Sequence, residues 1–159
     1  MNKAYLLLGS NMGNSHKQLA AAAKLIKKNI GKITRQSNLY VTAAWGNTKQ
    51  PDFLNQVIVV ETTCTASETI KTILRVEKQM GRVRTIRNAP RIIDIDILFF
   101  NKEVIQEKDL VVPHPEIQNR RFALVPLNEL SPGLRHPVLN KTIHQLLETC
   151  PDILDVKKF

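Results

Sequence analysis

Two aspartates interrupt an apolar run, Ile92-Ile-Asp94-Ile-Asp96-Ile-Leu-Phe-Phe100, directly after a stretch carrying Arg82, Arg84, Arg87 and Arg91. Successive strand residues point to opposite faces. The spacing therefore predicts one apolar face of Ile93, Ile95, Ile97 and Phe99. The other face holds both aspartates, their Cα atoms roughly 6.6 Å apart. Aspartate is a poor strand residue, and two adjacent carboxylates repel unless a cation neutralises them. A hard divalent ion such as Mg2+, bound by one or two carboxylates plus substrate phosphates, suits such a pair. The arginines are natural partners for those phosphates. An Asp-x-Asp alone is equally at home on a solvated sheet face. Here Ile92, Leu98 and Phe100 are expected on the aspartates' own face. Between Lys78 and Ile93 there are also five basic residues and no acidic one. The metal-and-phosphate account explains both.

The elements that must position these residues are legible from periodicity and caps. Residues 4–9 read as a buried strand ending in the turn Gly9-Ser10-Asn11-Met12-Gly13-Asn14. A capping box Ser15-x-x-Gln18 then opens a helix with Leu19, Ala22, Ala23, Ile26 and Ile30 on one face. A second strand lies within 33–41. The loop over 42–52, with Trp45, Gly46 and Pro51, is long enough to suggest that it serves a ligand. Phe53–Thr62 is a β-branched strand. A second capping box, Thr65-x-x-Glu68, opens a helix bearing Ile70, Ile73, Leu74 and Met80. The aspartate strand follows, then short strands near Val104 and over Leu110–Val112, and the break Pro113-His114-Pro115. A helix is expected over 119–129, and Thr142-x-x-Gln145 caps a last one. The leading order β-α-β-β-α-β is ferredoxin-like. We expect an α+β fold, an antiparallel sheet with helices on one face and the other face open for a site, plus C-terminal additions. Residues 1–159 form a single domain in this reading.

Composition narrows the partners. A net charge of +9 points to an anionic one, nucleic acid or small phosphorylated ligand. An RNA-binding module would stack bases on strand aromatics, but only eight aromatics are present and no RNP-type run is found. A two-metal nuclease would share the carboxylates yet leave Phe53 and Asn55 unexplained. Those two share a strand face, an aromatic plane beside an amide that both donates and accepts. The pair suits a flat heterocycle, and cross-strand packing explains Phe53 as well. Cys64 and Cys150 lack metal spacing and read as small buried residues, which suits a reducing cytoplasm. No apolar run approaches a membrane span or a signal-peptide core.

Several chemistries lack their signatures. There is no Gly-x-x-x-x-Gly-Lys-[Ser/Thr], no Gly-x-Gly-x-x-Gly, no nucleophile elbow and no zinc spacing among four histidines. His114 stands between two prolines near Arg120 and Arg121, where a rigid loop could present it, although loop histidines are more often incidental. Glu77 falls on the helix stripe expected to be buried. There it would need a partner, and the loop arginines are candidates; an exposed helix end is the alternative.

The run Arg87-Asn-Ala-Pro90-Arg91-x-x-Asp94-Ile-Asp96-Ile-Leu98 resembles the signature of the 6-hydroxymethyl-7,8-dihydropterin pyrophosphokinases of folate biosynthesis. Matching segments span the chain: Gly9-Ser10-Asn11, Gln50-Pro-Asp-Phe53-Leu-Asn55, Gly81-Arg82-Val-Arg84, Val112-Pro113-His114 and Asn119-Arg120-Arg121-Phe122. The resemblance implies transfer of a pyrophosphoryl group from ATP to the pterin hydroxymethyl, with release of AMP. It implies two Mg2+ ions held by Asp94 and Asp96, which with Arg82 and Arg91 form the catalytic set. ATP is expected against Glu77, Arg84, Arg91, Ile97, His114 and Arg120. The pterin is expected against Thr42, Trp45, Phe53, Asn55, Asp94 and Phe122. The expected setting is a cytoplasmic monomer acting on small molecules, with neither nucleic acid nor membrane as partner. Departures from the family pattern are Asn88 where a tryptophan is common, Phe53 for a tyrosine, Ala43-Ala44-Trp45 for a proline-rich run, and Pro115 for an aromatic.

Overall fold

A computed structural model of the chain describes residues 1–44, 49–82 and 90–159. The strands are β1 (Asn2–Ser10), β2 (Gly31–Gln36), β3 (Tyr40–Thr42), β4 (Phe53–Thr62), β5 (Asp94–Phe100), β6 (Ile105–Glu107), β7 (Leu110–Val112) and β8 (Val156–Lys158). The helices are α1 (Ser15–Asn29), α2 (Ala66–Gln79), α3 (Arg121–Leu130) and α4 (Ile143–Glu148), with a 3-10 turn at Ile117–Asn119. Among the described residues, an antiparallel sheet runs in the order β5-β1-β4-β3-β8, with β2 also paired to β4. The ferredoxin-like order is present, and β5 lies at one edge beside β1. No helix among the described residues is long and apolar enough to cross a membrane.

β2 and β3 replace the single strand expected over 33–41. Gln36 pairs with Ile58 and Tyr40 with Asn55, so four steps on one strand meet three on the other. Ser37 closes the gap. Its N–H donates to Val57 O (2.9 Å), its hydroxyl oxygen accepts from Val57 N (3.0 Å), and its carbonyl accepts from the Gln56 amide (2.9 Å). β8 was absent from the sequence reading altogether.

β5 carries a similar irregularity. Leu6 pairs with Ile97 but Tyr5 with Phe99, leaving Leu98 as the extra residue of a bulge. The expected Ile93/Ile95/Ile97/Phe99 face is thus corrected. Ile93, Ile95, Ile97 and Phe100 face α1 and α2, among Leu19, Ile26, Ile73 and Val76. Leu98 and Phe99 both turn to the opposite side. The bulge flips the alternation once, after the aspartates, so Asp94 and Asp96 keep the face predicted for them.

That opposite face is not left bare. α3 and α4 cover its far end through Ala123, Leu124, Leu127, Ile143 and Leu146 packed on Tyr5, Leu7, Val57, Val59 and Phe99. The end bearing Gly9, Asn55, Asp94 and Asp96 opens to a cleft. The capping boxes at Thr65 and Thr142 form as expected. At α1 the cap is Asn14, whose side chain accepts from Lys17 N (3.1 Å), and Ser15 is already inside the helix. Asparagine is at least as good an N-cap as serine, and one residue earlier it takes the position first.

Candidate active site

The end of α2 sets the first cation. Gly81 has φ +92°, a left-handed conformation open to glycine at little cost. Gly81 N–H donates to Lys78 O (3.0 Å) and Arg82 N–H to Glu77 O (3.0 Å), the paired bonds of a Schellman ending. The chain therefore doubles back and lays the Arg82 side chain along the helix end. Its Nη1 donates to Glu77 Oε2 (2.6 Å) and to Asp94 Oδ1 (2.7 Å). Burial alone would lower the guanidinium's pKa, but the Asp94 and Glu77 carboxylates together raise it. Glu77 is buried as its place on the stripe implied, and its Oε2 also accepts from Ile95 N–H (2.8 Å), tying α2 to β5.

Asp94 takes a second arginine, with Arg91 Nη1 donating to Oδ2 at 3.1 Å. Asp96, two residues on, accepts no hydrogen bond from a described side chain in this network and opens onto the cleft. Burial, and then the Asp94 anion, push its pKa up to about 7, against the lowering effect of Arg120. The two neighbours thus differ: one is neutralised by the protein, the other is left needing a cation.

Two hollows meet at this pair. The first is lined by Gly9, Thr42, Phe53, Asn55 and Phe122 together with Arg91, Asp94, Asp96 and Arg120. The second shares Arg91, Asp94, Asp96 and Arg120 and adds Ile70, Leu74, Glu77, Arg82 and His114. In the first hollow the Asn55 amide is buried, and its Nδ2 has no hydrogen-bond partner among the described residues. Asn55 occupies space that exists because residue 9 is glycine. A Cβ there would lie 2.7 Å from Asn55 Oδ1 and 3.6 Å from Phe53 Cδ1. Opposite, the Arg120 guanidinium sits 5.7 Å from the centre of the Phe122 ring.

His114 is held by its own backbone, whose N–H donates to Leu98 O (3.0 Å), and its Nδ1 accepts from Glu116 N–H (3.1 Å). Burial, then the Arg120 cation, lower its pKa to about 4. It is neutral at pH 7, and with Nδ1 accepting, its proton rests on Nε2.

Most expected site residues therefore converge: Arg82, Arg91, Asp94, Asp96, Glu77, His114 and Arg120 around the second hollow, and Thr42, Phe53, Asn55 and Phe122 around the first. Ile97 does not join them; it is buried in the core on the α1/α2 side. Trp45 and Arg84, like Arg87 and Asn88, lie outside the described residues. Asn11 had no role in the sequence reading beyond its place in a turn, yet it links the loops flanking the site. Its N–H donates to Arg91 O (3.2 Å) and its Oδ1 accepts from Arg91 N–H (2.9 Å). Its Nδ2 donates to Gln50 Oε1 (2.7 Å) and Pro51 O (3.0 Å). A polar residue between two glycines in a turn was the available signal, and helix initiation accounted for it too easily.

Paired carboxylates, clustered arginines and two adjoining hollows on a ferredoxin-like sheet are what a phosphoryl-transfer enzyme would require. The family description 7,8-dihydro-6-hydroxymethylpterin-pyrophosphokinase (HPPK) matches residues 5–132, and the chain belongs to that family. It is 37% identical over 145 residues to the 2-amino-4-hydroxy-6-hydroxymethyldihydropteridine pyrophosphokinase of Aquifex aeolicus, covering 91% of this chain and 90% of that one. The protein of the same description from Methylorubrum extorquens is 38% identical over 135 residues, covering 84% and 85%. Similarity to the Dictyostelium discoideum "Folic acid synthesis protein FOL1" is 34% over 95% of this chain, which spans only 23% of that longer protein. A Plasmodium falciparum HPPK-DHPS crystal structure superposes with a TM-score of 0.76 at 22% identity, over 92% of this chain and 44% of the other. The chain is thus a pyrophosphokinase of folate biosynthesis, and some relatives carry its counterpart within longer proteins.

Proposed function

We propose that the chain transfers the β,γ-pyrophosphoryl group of ATP to the hydroxymethyl oxygen of 6-hydroxymethyl-7,8-dihydropterin. The observation that carries this reading is the meeting of two hollows at Asp94 and Asp96. One carries Phe53, Phe122 and the Asn55 amide; the other adds Arg82 and His114 to the Arg91 and Arg120 that the two share. In the transfer the acceptor oxygen bonds to the β-phosphorus and loses its proton. The bond between that phosphorus and the α,β-bridging oxygen breaks, and its electron pair leaves with AMP.

The donor set fits Mg2+. Asp94 and Asp96 are two carboxylates on one strand face, and among the described residues no third His, Cys, Asp or Glu completes a protein-only cage. Ions that complete their shell with phosphate and water need no more. Asp94 and Asp96 would hold the two ions. When bound, they would offset triphosphate charge and polarise the phosphoryl oxygens.

The chain's own residues position and neutralise. Arg82, braced by Glu77, and Arg91 present positive charge where the phosphates would lie, the chief contribution a protein makes to such transfers. Arg84 is proposed to add charge toward the same phosphates, as the family resemblance implies. Arg120 and the neutral Nε2–H of His114 face the nucleotide hollow, whose Ile70 and Leu74 offer apolar surface to a base. Phe53 and Phe122 supply aromatic contact for the pterin. Asn55 can donate from Nδ2 and accept at Oδ1 along the ring's amide-like edge, Thr42 lines the same hollow, and Trp45 is proposed as a further pterin contact on the family resemblance. A heterocycle unable to pair with Asn55 would leave a buried amide unsatisfied and be rejected on that ground.

In this reading the working unit is a monomer, and it works in the cytoplasm on small molecules. Incubation with ATP, Mg2+ and the reduced hydroxymethylpterin tests the reaction. Acceptor-dependent AMP is expected, and ADP alone would sink the reading.

A further inference from the structure

Two walls of the pterin-facing hollow are tied to one short stretch near the C-terminus. α3 begins without a side-chain cap of its own, since Arg120 in the N-cap position caps nothing. The first-turn N–H of Arg121 instead donates to Asp152 Oδ2 (3.1 Å), while Asp152 Oδ1 accepts from Leu154 N–H (2.9 Å). An anion placed there satisfies a donor the helix leaves open and faces the positive end of its dipole. Arg120 and Phe122, on either side of the capped residue, both line the hollow.

The same stretch holds the facing wall. The Thr42 hydroxyl donates to Asp155 O (3.1 Å), and β8 pairs with β3, setting Thr42 against Val156. Phe159 N–H donates to Leu39 O (2.8 Å). The far end of α3 is already fastened: the Tyr40 hydroxyl donates to Glu129 Oε1 (2.6 Å) and Arg35 Nη1 to Leu130 O (2.5 Å). What sets the near end, where Phe122 begins, is the Asp152 cap.

We infer that residues 152–158 form a clasp fixing the separation of Thr42 and Phe122 across the hollow, with Asp152 as a positioning residue for pterin recognition. This rests on the proposed pterin site. Asp152 itself does not line the hollow, so its influence is conveyed through Arg121 and the start of α3.

The test uses full-length Asp152→Ala, Asp152→Asn and, as a control, Thr65→Ala, which strips the cap of α2 at the end remote from Glu77. Asp152→Ala should raise KM for the pterin about five-fold, the scale of one lost helix cap, with KM for ATP and kcat held within about two-fold. Asp152→Asn should restore part of the loss, because its single carboxamide oxygen can still accept from Arg121 while the bond from Leu154 N–H is given up. Thr65→Ala should lower Tm comparably without moving the pterin KM. Equal pterin KM values in Asp152→Ala and Thr65→Ala, or a parallel rise for both substrates, would overturn the clasp. Calorimetric binding of the pterin beside a non-hydrolysable ATP analogue reads the clasp without turnover. An unchanged Kd in Asp152→Ala overturns it there, whereas absence of AMP from the wild type with that Kd shifted refutes only the transfer.

Discussion

Around Arg82 the charges are multiply committed: Glu77 Oε2 accepts from both Arg82 and Ile95, and Asp94 takes one arginine on each oxygen. Across the cleft the pattern reverses. Asn55 is as buried as Glu77 but keeps an Nδ2 without a partner among the described residues, in a space defined by the missing side chain of Gly9. The phosphate side is held by bonds that also hold the fold, so its catalytic charges and its stability share atoms. The pterin side is held by shape, with its hydrogen-bonding capacity kept in reserve for a ligand. Substitutions on the two sides should therefore fail differently.

The largest effect is expected at Asp96. Losing a partner of a metal ligand costs roughly 10–100-fold, and Asp96→Asn, which removes a proposed ligand itself, should leave no measurable turnover. Its stability should move the other way. The folded-state pKa of about 7 lies above that of an unfolded aspartate. The folded state therefore binds the extra proton between those values, and stability falls as pH rises through that window. At pH 8 the penalty is complete. Asp96→Asn should thus melt above wild type at pH 8, with the advantage disappearing near pH 4. An inactive protein melting lower than wild type at pH 8 would place Asp96 with Asp94, among the residues the fold depends on. Arg82→Ala comes next. Its kcat should fall by about 2.7–4 kcal/mol of transition-state stabilisation, and its Tm should fall too, since buried Glu77 loses the charge-assisted hydrogen bond from Arg82. Loss of kcat with no loss of Tm would separate functions that the geometry joins.

This division also explains which parts were legible in the sequence. Charges on a strand with period two announce their face, so Asp94 and Asp96 were placed from spacing alone, whereas for Glu77 the helical period left a buried and an exposed position both open. Phe53 and Asn55 followed the strand rule. Where one extra residue enters a strand the rule fails. The bulge at Leu98 moved Phe99 to the other face, and the break at Ser37 split β2 from β3. β8 is three residues long, and two of them are lysine, so it exists by pairing with β3 rather than by pattern. Asn11 and Asp152 were missed for a related reason. Their partners lie up to 80 residues distant, and nothing local distinguishes a loop-bridging amide from an ordinary turn residue. The family resemblance supplied roles, but it passed over residues that act by holding others.

Gly9→Ala probes the side held by shape. The added methyl would meet Asn55 Oδ1 at 2.7 Å. That oxygen ends a side chain, so it can turn away at small cost to the fold. The price falls on recognition: KM for the pterin should rise roughly ten-fold, on the scale of one misdirected hydrogen bond. KM for ATP and Tm should change little. A Tm loss as large as that of Arg82→Ala would show that this wall too is structural, and the contrast between the two sides would fail.

The smallest effect on turnover, none at pH 7 to 8, is expected from the acid response of His114. Its pKa is lowered to about 4 in the fold, by burial and then by Arg120, whereas an unfolded histidine titrates near the ordinary value of about 6.5. Between those values the unfolded chain carries the proton and the folded one does not. Stability therefore falls as pH drops from about 6.5 to about 4, by at most about 1.4 kcal/mol per pH unit from this one group. His136, also lowered by burial, adds a slope of the same sign, and Asp96 opposes both, so the wild-type curve alone cannot isolate the effect. The difference between wild type and His114→Asn can. Asparagine keeps an acceptor for Glu116 N–H but does not titrate, so the gap between the two denaturation curves should change with pH only within that window. A gap constant from pH 4 to 7 would mean that His114 takes up its proton equally in the folded and unfolded chains, so that neither burial nor Arg120 acts on it as described.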